Sequence, residues 1–161
     1  MLLVADTHVH LYPCYDFVAA LGQGYRNLRA LAAGARRDGT ADQDVALALC
    51  LAEGAGHHVF RELKEARLRL PPPLEVQPAA EPETLVIAGA GEGPLHLLAG
   101  RQIVSRERLE LLALGRDAEL ADGRPIADVL SAIRDSGTVP VLNWAPGKWF
   151  FARGRIVARL I

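Results

Sequence analysis

The stretch LLVADTHVH, residues 2–10, decides how the chain is read. Leu2 to Val9 is short, largely apolar and carries a β-branched residue at its end, the mark of a buried strand. Side chains alternate along a strand, so Asp6, His8 and His10 are expected on one face. Beyond it, Tyr12-Pro13-Cys14-Tyr15 reads as a loop. Asp16 can then accept hydrogen bonds from the open amides of a helix start. That helix carries Phe17, Leu21, Leu28, Leu31 and Ala35 at helical spacing and stops at Asp38-Gly39. VALALCL, residues 45–51, is a second strand, apolar enough to be covered on both faces. A Gly-rich loop follows from Glu53 to Gly56, then a helix over residues 57–68 that Pro71-Pro72-Pro73 ends. Strand, helix, strand, helix with short connections predicts a parallel α/β arrangement.

The middle of the chain changes character. Residues 74–76, 84–88, 95–98 and 101–105 are short β candidates separated by Pro and Gly, which predicts hairpins. Residues 109–114 are too few for their period to separate a strand from a helix. Ile126, Val129, Leu130 and Ile133 mark a helix ended by Ser136-Gly137, and Val139 to Leu142 resumes as a strand. Neither side of the three-proline connector looks self-sufficient, so one domain over residues 1–161 is expected.

Composition narrows the function classes. Half the residues are hydrophobic, 23% are charged, and 18 basic against 19 acidic residues give a net charge of −1. No general field for nucleic acid or an acidic membrane follows from that balance, and Arg153, Arg155 and Arg159 form no extended basic stripe. The longest apolar run, residues 45–52, falls far short of the roughly 20 residues needed to span a bilayer. The opening has no basic leader, and two cysteines are no disulfide framework. The expectation is a cytoplasmic protein without membrane or nucleic-acid partners.

Two imidazoles at the carboxyl end of a first strand can converge on one divalent ion, and that end is where α/β folds collect ligands. Imidazole suits Zn, Mn or Fe, and a nearby carboxylate can bind the ion or orient a ring. The competing reading is a pair of histidines making ordinary hydrogen bonds.

VADTHVHLYP, residues 4–13, resembles the opening of barrel-type metal-dependent hydrolases, and the later segments resemble the PHP (polymerase and histidinol phosphatase) family. DVALALCLAEG resembles that family's second strand, LAGRQIVSRERLELLALG its third and fourth, and IADVLSAIRDSGTVPVLNWAPG a later helix and strand. The resemblance implies His8 and His10 as metal ligands, and Glu53 as third ligand or general base with Asp6 in support. Several positions depart from the pattern. Gly54 stands where the family has a His, Gln102 where it has a bridging Glu, and Leu111 or Leu112 where a His is often found. Asn143-Trp144-Ala145-Pro146 replaces its His-Pro, and its closing Asp-x-His pair has no counterpart in 161 residues. A complete eight-unit barrel takes roughly 250 residues. The expected fold is therefore α/β: an incomplete or shortened PHP-type (β/α) barrel with a hairpin-rich middle, lacking the carboxyl-terminal part of the barrel.

Two functions follow as expectations. One is a metal-dependent hydrolase acting on a phosphoester or amide, in which a divalent metal (Zn, Mn or Fe) activates water. Lys148 or Arg153 would then neutralise the small-molecule substrate's charge, with Trp144 and Asn143 beside them. The other is a degenerate, non-catalytic binding or interaction domain that has lost its metal. A second copy covering an open sheet edge is an expected partner of either. Cys14, His57-His58, His96 and the Gly89–Gly93 segment are weaker candidates; the last reads as a hairpin turn because it lacks phosphate-loop spacing.

Overall fold

The computed structural model describes residues 1–35, 44–144, 149 and 151–160. β1 (Leu2–Val9) and β2 (Val45–Leu51) pair in parallel, as the crossover through α1 (Phe17–Ala35) requires. The helix starts where Asp16 Oδ1 accepts from the Ala19 amide at 3.0 Å. Its buried stripe is Phe17, Leu21, Tyr25, Leu28 and Ala32. α2 (Val59–Lys64) is shorter than its sequence suggests, because Ala66 turns left-handed at φ 56° directly after it.

β3 (Glu75–Pro78), β4 (Thr84–Ala88) and β5 (Leu95–Leu98) form an antiparallel meander, and β5 returns parallel to β2. The five-stranded sheet thus runs β1-β2-β5-β4-β3. β6 (Gly100–Val104) continues the line of β5 into a second, three-stranded sheet. There it pairs antiparallel with β7 (Glu110–Leu114), which pairs antiparallel with β8 (Val139–Leu142). α3 (Ile126–Asp135) and α4 (Phe151–Val157) complete the described elements.

Each sheet has its own apolar core. Leu21, Leu28, Leu49, Leu51, Phe60, Ile87 and Leu97 fill the first, between α1, α2 and the larger sheet. Ile103, Leu111, Val129, Ile133 and Val157 fill the second. The sheets meet where β2 runs past its own end. Glu53 bridges to Arg101, its amide donating to Gly100 O at 3.2 Å and its carbonyl accepting from Gln102 N at 2.9 Å. Gly100 is required here, since a Cβ would strike the Leu51 carbonyl oxygen.

The expected (β/α) barrel is not formed. The described strands make two separate sheets of five and three with no closure, and the described helices number four. Short loops after β3, β4 and β6 favour antiparallel pairing, whereas a barrel strand needs a helical crossover to a parallel neighbour, and β8 returns antiparallel to β7 even though α3 lies between them. Among the described residues no helix is long and apolar enough to cross a membrane.

Candidate functional site

Strict alternation along β1 fails at a bulge. Asp6 pairs with Leu49 and Val9 with Leu51, so three steps in β1 oppose two in β2. Before the bulge Asp6 lies on the α1 side, lining a surface notch with Asn27, Leu28 and Leu31. Its Oδ1 accepts from the His8 backbone amide at 3.0 Å. After the bulge Val9 packs on the first core, which turns His8 and His10 to the other face. The histidines are therefore brought together and Asp6 is separated from them.

The two rings stand edge to face with centroids 5.0 Å apart. His8 Nε2 lies 3.0 Å from Gln102 Oε1 on β6. Tyr12 places its hydroxyl 3.4 Å from His10 Nδ1 and contacts the His57 ring at 4.6 Å. Burial, then the charge of His8, hold His10 below its ordinary pKa; a backbone hydrogen bond with Ala52 and the Glu110 carboxylate pull the other way.

Residues 96, 98, 100 and 102 share a face of the strand line running from β5 into β6, as do Glu110 and Leu112 of β7. This face thus carries His96, Leu98, Gln102 and Glu110 as well as the two histidines. Toward β1 and β2 it is apolar, a shallow hollow of about 500 Å³ lined by Leu3, Ala5, Ala46, Ala48 and Cys50. At the polar end Asn143 Nδ2 donates to Glu110 Oε2 at 3.2 Å, and the Asn143 amide donates to Glu110 O at 2.9 Å.

Glu53 is on the opposite side. Neighbouring strand residues face opposite ways, and Glu53 bridges to Arg101 while His8 meets Gln102. Its carboxylate, 3% exposed with the residue, accepts from Phe60 N at 2.9 Å and from Arg101 Nη1 at 3.4 Å. Arg101 Nη1 also donates to His57 O at 2.6 Å and lies 3.4 Å from His58 Nδ1. Burial pushes the Glu53 carboxyl up; the Phe60 amide and then the Arg101 charge oppose it. Glu53 ties α2 to the sheet junction and does not reach the histidine pair.

Of the remaining expected residues, Asn143 is at the polar end of the face. Trp144 is exposed, and the Trp149 indole donates to Asn143 O at 3.3 Å. Arg153 is half-buried on α4, with no hydrogen bond or ion pair to the histidines among the described residues. Lys148 lies outside the described residues. Cys14 and Cys50 are free thiols, the first exposed and the second buried. Residues 89–94 form the turn between β4 and β5.

Sequence reasoning missed Glu110 and Tyr12 and treated Gln102 only as a departure from a pattern. A lone acid opening an otherwise apolar strand, ELLAL, was the available signal for Glu110. Among the described residues, no three His, Cys, Asp or Glu side chains are grouped so that they could hold one metal ion. The expected metal centre therefore does not fit this donor set: the histidines' nearest partner on β6 is a neutral amide. No family model matches the chain, and neither a curated protein nor a solved structure is similar to it.

Proposed function

We propose that the chain is a non-catalytic binding domain, resembling PHP-type metal-dependent hydrolases but without their hydrolytic ligand set. The face around His8, His10, Gln102 and Asn143 takes a small polar ligand by hydrogen bonds, in the cytoplasm. One observation carries this reading. The acid expected to serve the histidines, Glu53, is committed to Arg101 and the first amides of α2 on the opposite side. What faces His8 in its place is the amide of Gln102.

Metal-dependent hydrolysis of a phosphoester or amide is the second reading, favoured by the 5.0 Å approach of two imidazoles at the carboxyl end of β1. One assay separates the two. Purified protein is incubated with p-nitrophenyl phosphate and with a chromogenic anilide, with and without Zn²⁺ or Mn²⁺, beside His8→Ala and His10→Ala. The binding reading expects rates equal to the buffer blank. Hydrolysis that both substitutions abolish would replace it with the second reading.

A further inference from the structure

The polar end of the face combines two imidazoles with side-chain amides. With Gln102 Oε1 as the acceptor at 3.0 Å, His8 donates from Nε2, so the ring nitrogen that faces β6 carries the proton and only Nδ1 keeps a lone pair. His10 Nδ1 is met by the Tyr12 hydroxyl at 3.4 Å. A divalent cation placed between these rings would need a compensating negative charge, and a half-buried cation without one is costly. The nearby carboxylates are otherwise placed. Glu53 is across the sheet with Arg101 and Asp6 is beyond the bulge; Glu110 is on this face, where its charge acts on His10, but among the described residues it completes no group of three donors with the two histidines.

We propose that Gln102 sets the ligand chemistry of this face: its amide keeps His8 and His10 a hydrogen-bonding pair that rejects divalent cations, and a carboxylate at this one position turns the pair into a cation site. The inference rests on the binding reading above. The backbone at Gln102 is held from two sides, by the Glu53 carbonyl at 2.9 Å and by pairing with Leu112. Exchange of Gln for Glu changes charge with almost no change in size. The carboxylate would then stand at the 3.0 Å position beside His8 Nε2, giving two imidazoles and one carboxylate, a donor set that Zn²⁺ accepts.

The test titrates wild type, Gln102→Glu, and Gln102→Glu combined with His8→Ala with Co²⁺, read by visible absorption, and with Zn²⁺, read by calorimetry. Gln102→Glu should bind one equivalent about 100-fold more tightly than wild type, the upper end of what a group hydrogen-bonded to a metal ligand contributes. Adding His8→Ala should abolish the gain. A wild type that binds one equivalent within tenfold of Gln102→Glu overturns the proposal, as does a folded Gln102→Glu with no gain. Should Gln102→Glu fail to fold, the wild-type titration decides: His8-dependent stoichiometric cobalt overturns the proposal, and its absence supports it. The two readings fail separately. Metal-free hydrolysis by wild type would overturn the binding domain and leave Gln102 in its role. Metal binding without hydrolysis would overturn only the role of Gln102.

Discussion

Glu53 Oε2 lies 3.4 Å from Arg101 Nη1, with only 2% and 7% of the two side chains exposed. Burying both charges is expensive, and the pair stands because each is also hydrogen-bonded, Glu53 by the Phe60 amide and Arg101 by the His57 carbonyl. Removing one partner leaves the other charge buried alone. Arg101→Met should lower the unfolding free energy by about 3–5 kcal/mol, read from urea denaturation. Combining it with Glu53→Gln should recover part of that loss. A double variant whose loss equals the sum of the two single losses would show that the pair does not couple.

His10 gives the face a pH dependence of definite sign. Burial and the neighbouring His8 hold it below 6.5, so between that lowered value and 6.5 the folded chain binds fewer protons than the unfolded one. Its contribution to stability is present above its ordinary pKa and is lost as pH falls through the folded value. Unfolding free energy should rise with pH across that window, and His10→Gln should flatten the rise. By NMR the His10 ring should titrate with a midpoint below 6.5 and move upward in His8→Gln. A midpoint at or above 6.5 would contradict the burial argument.

At the sheet junction a single methyl group should be disruptive. In Gly100→Ala the new Cβ meets the Leu51 carbonyl oxygen, backbone that cannot swing away. A loss of roughly 1–3 kcal/mol is expected, the range for overpacking a closely packed site, read as a lowered Tm. Gly54→Ala is the control, since nothing lies within 4 Å of its would-be Cβ. Equal losses in the two variants would place the effect in chain flexibility.

What was legible in the sequence was local. The start of the α1 stripe at Phe17, Leu21 and Leu28, its Asp16 cap, the apolar β2 and the turn at residues 89–94 follow from spacing and residue type within a few turns of chain. Leu31 and Ala35, expected on that stripe, are exposed, whereas Tyr25 and Ala32 are buried on it. The bulge in β1 was not, because it exists only in the register of β1 against β2. Alternation read along one strand put Asp6 with the histidines; the second strand moves it away. The role of Glu53 was hidden for a similar reason, since Arg101 lies 48 positions further on. Of residues 109–114, Glu110 to Leu114 are a strand because β6 and β8 flank them, a fact their own side chains do not contain. The expected barrel came from resemblance, and antiparallel pairing of β6, β7 and β8 overturns it.

The run of chain from Leu95 to Val104 belongs to both sheets, as β5 and then β6. It cannot peel out of one without pulling on the other, because the Glu53 and Gln102 amides stitch the crossing point to β2. Each apolar core alone is small, yet this shared strand makes opening either one a disturbance of both. Amide hydrogens along it should be among the last to exchange with solvent deuterium, as befits the mechanical spine of the molecule.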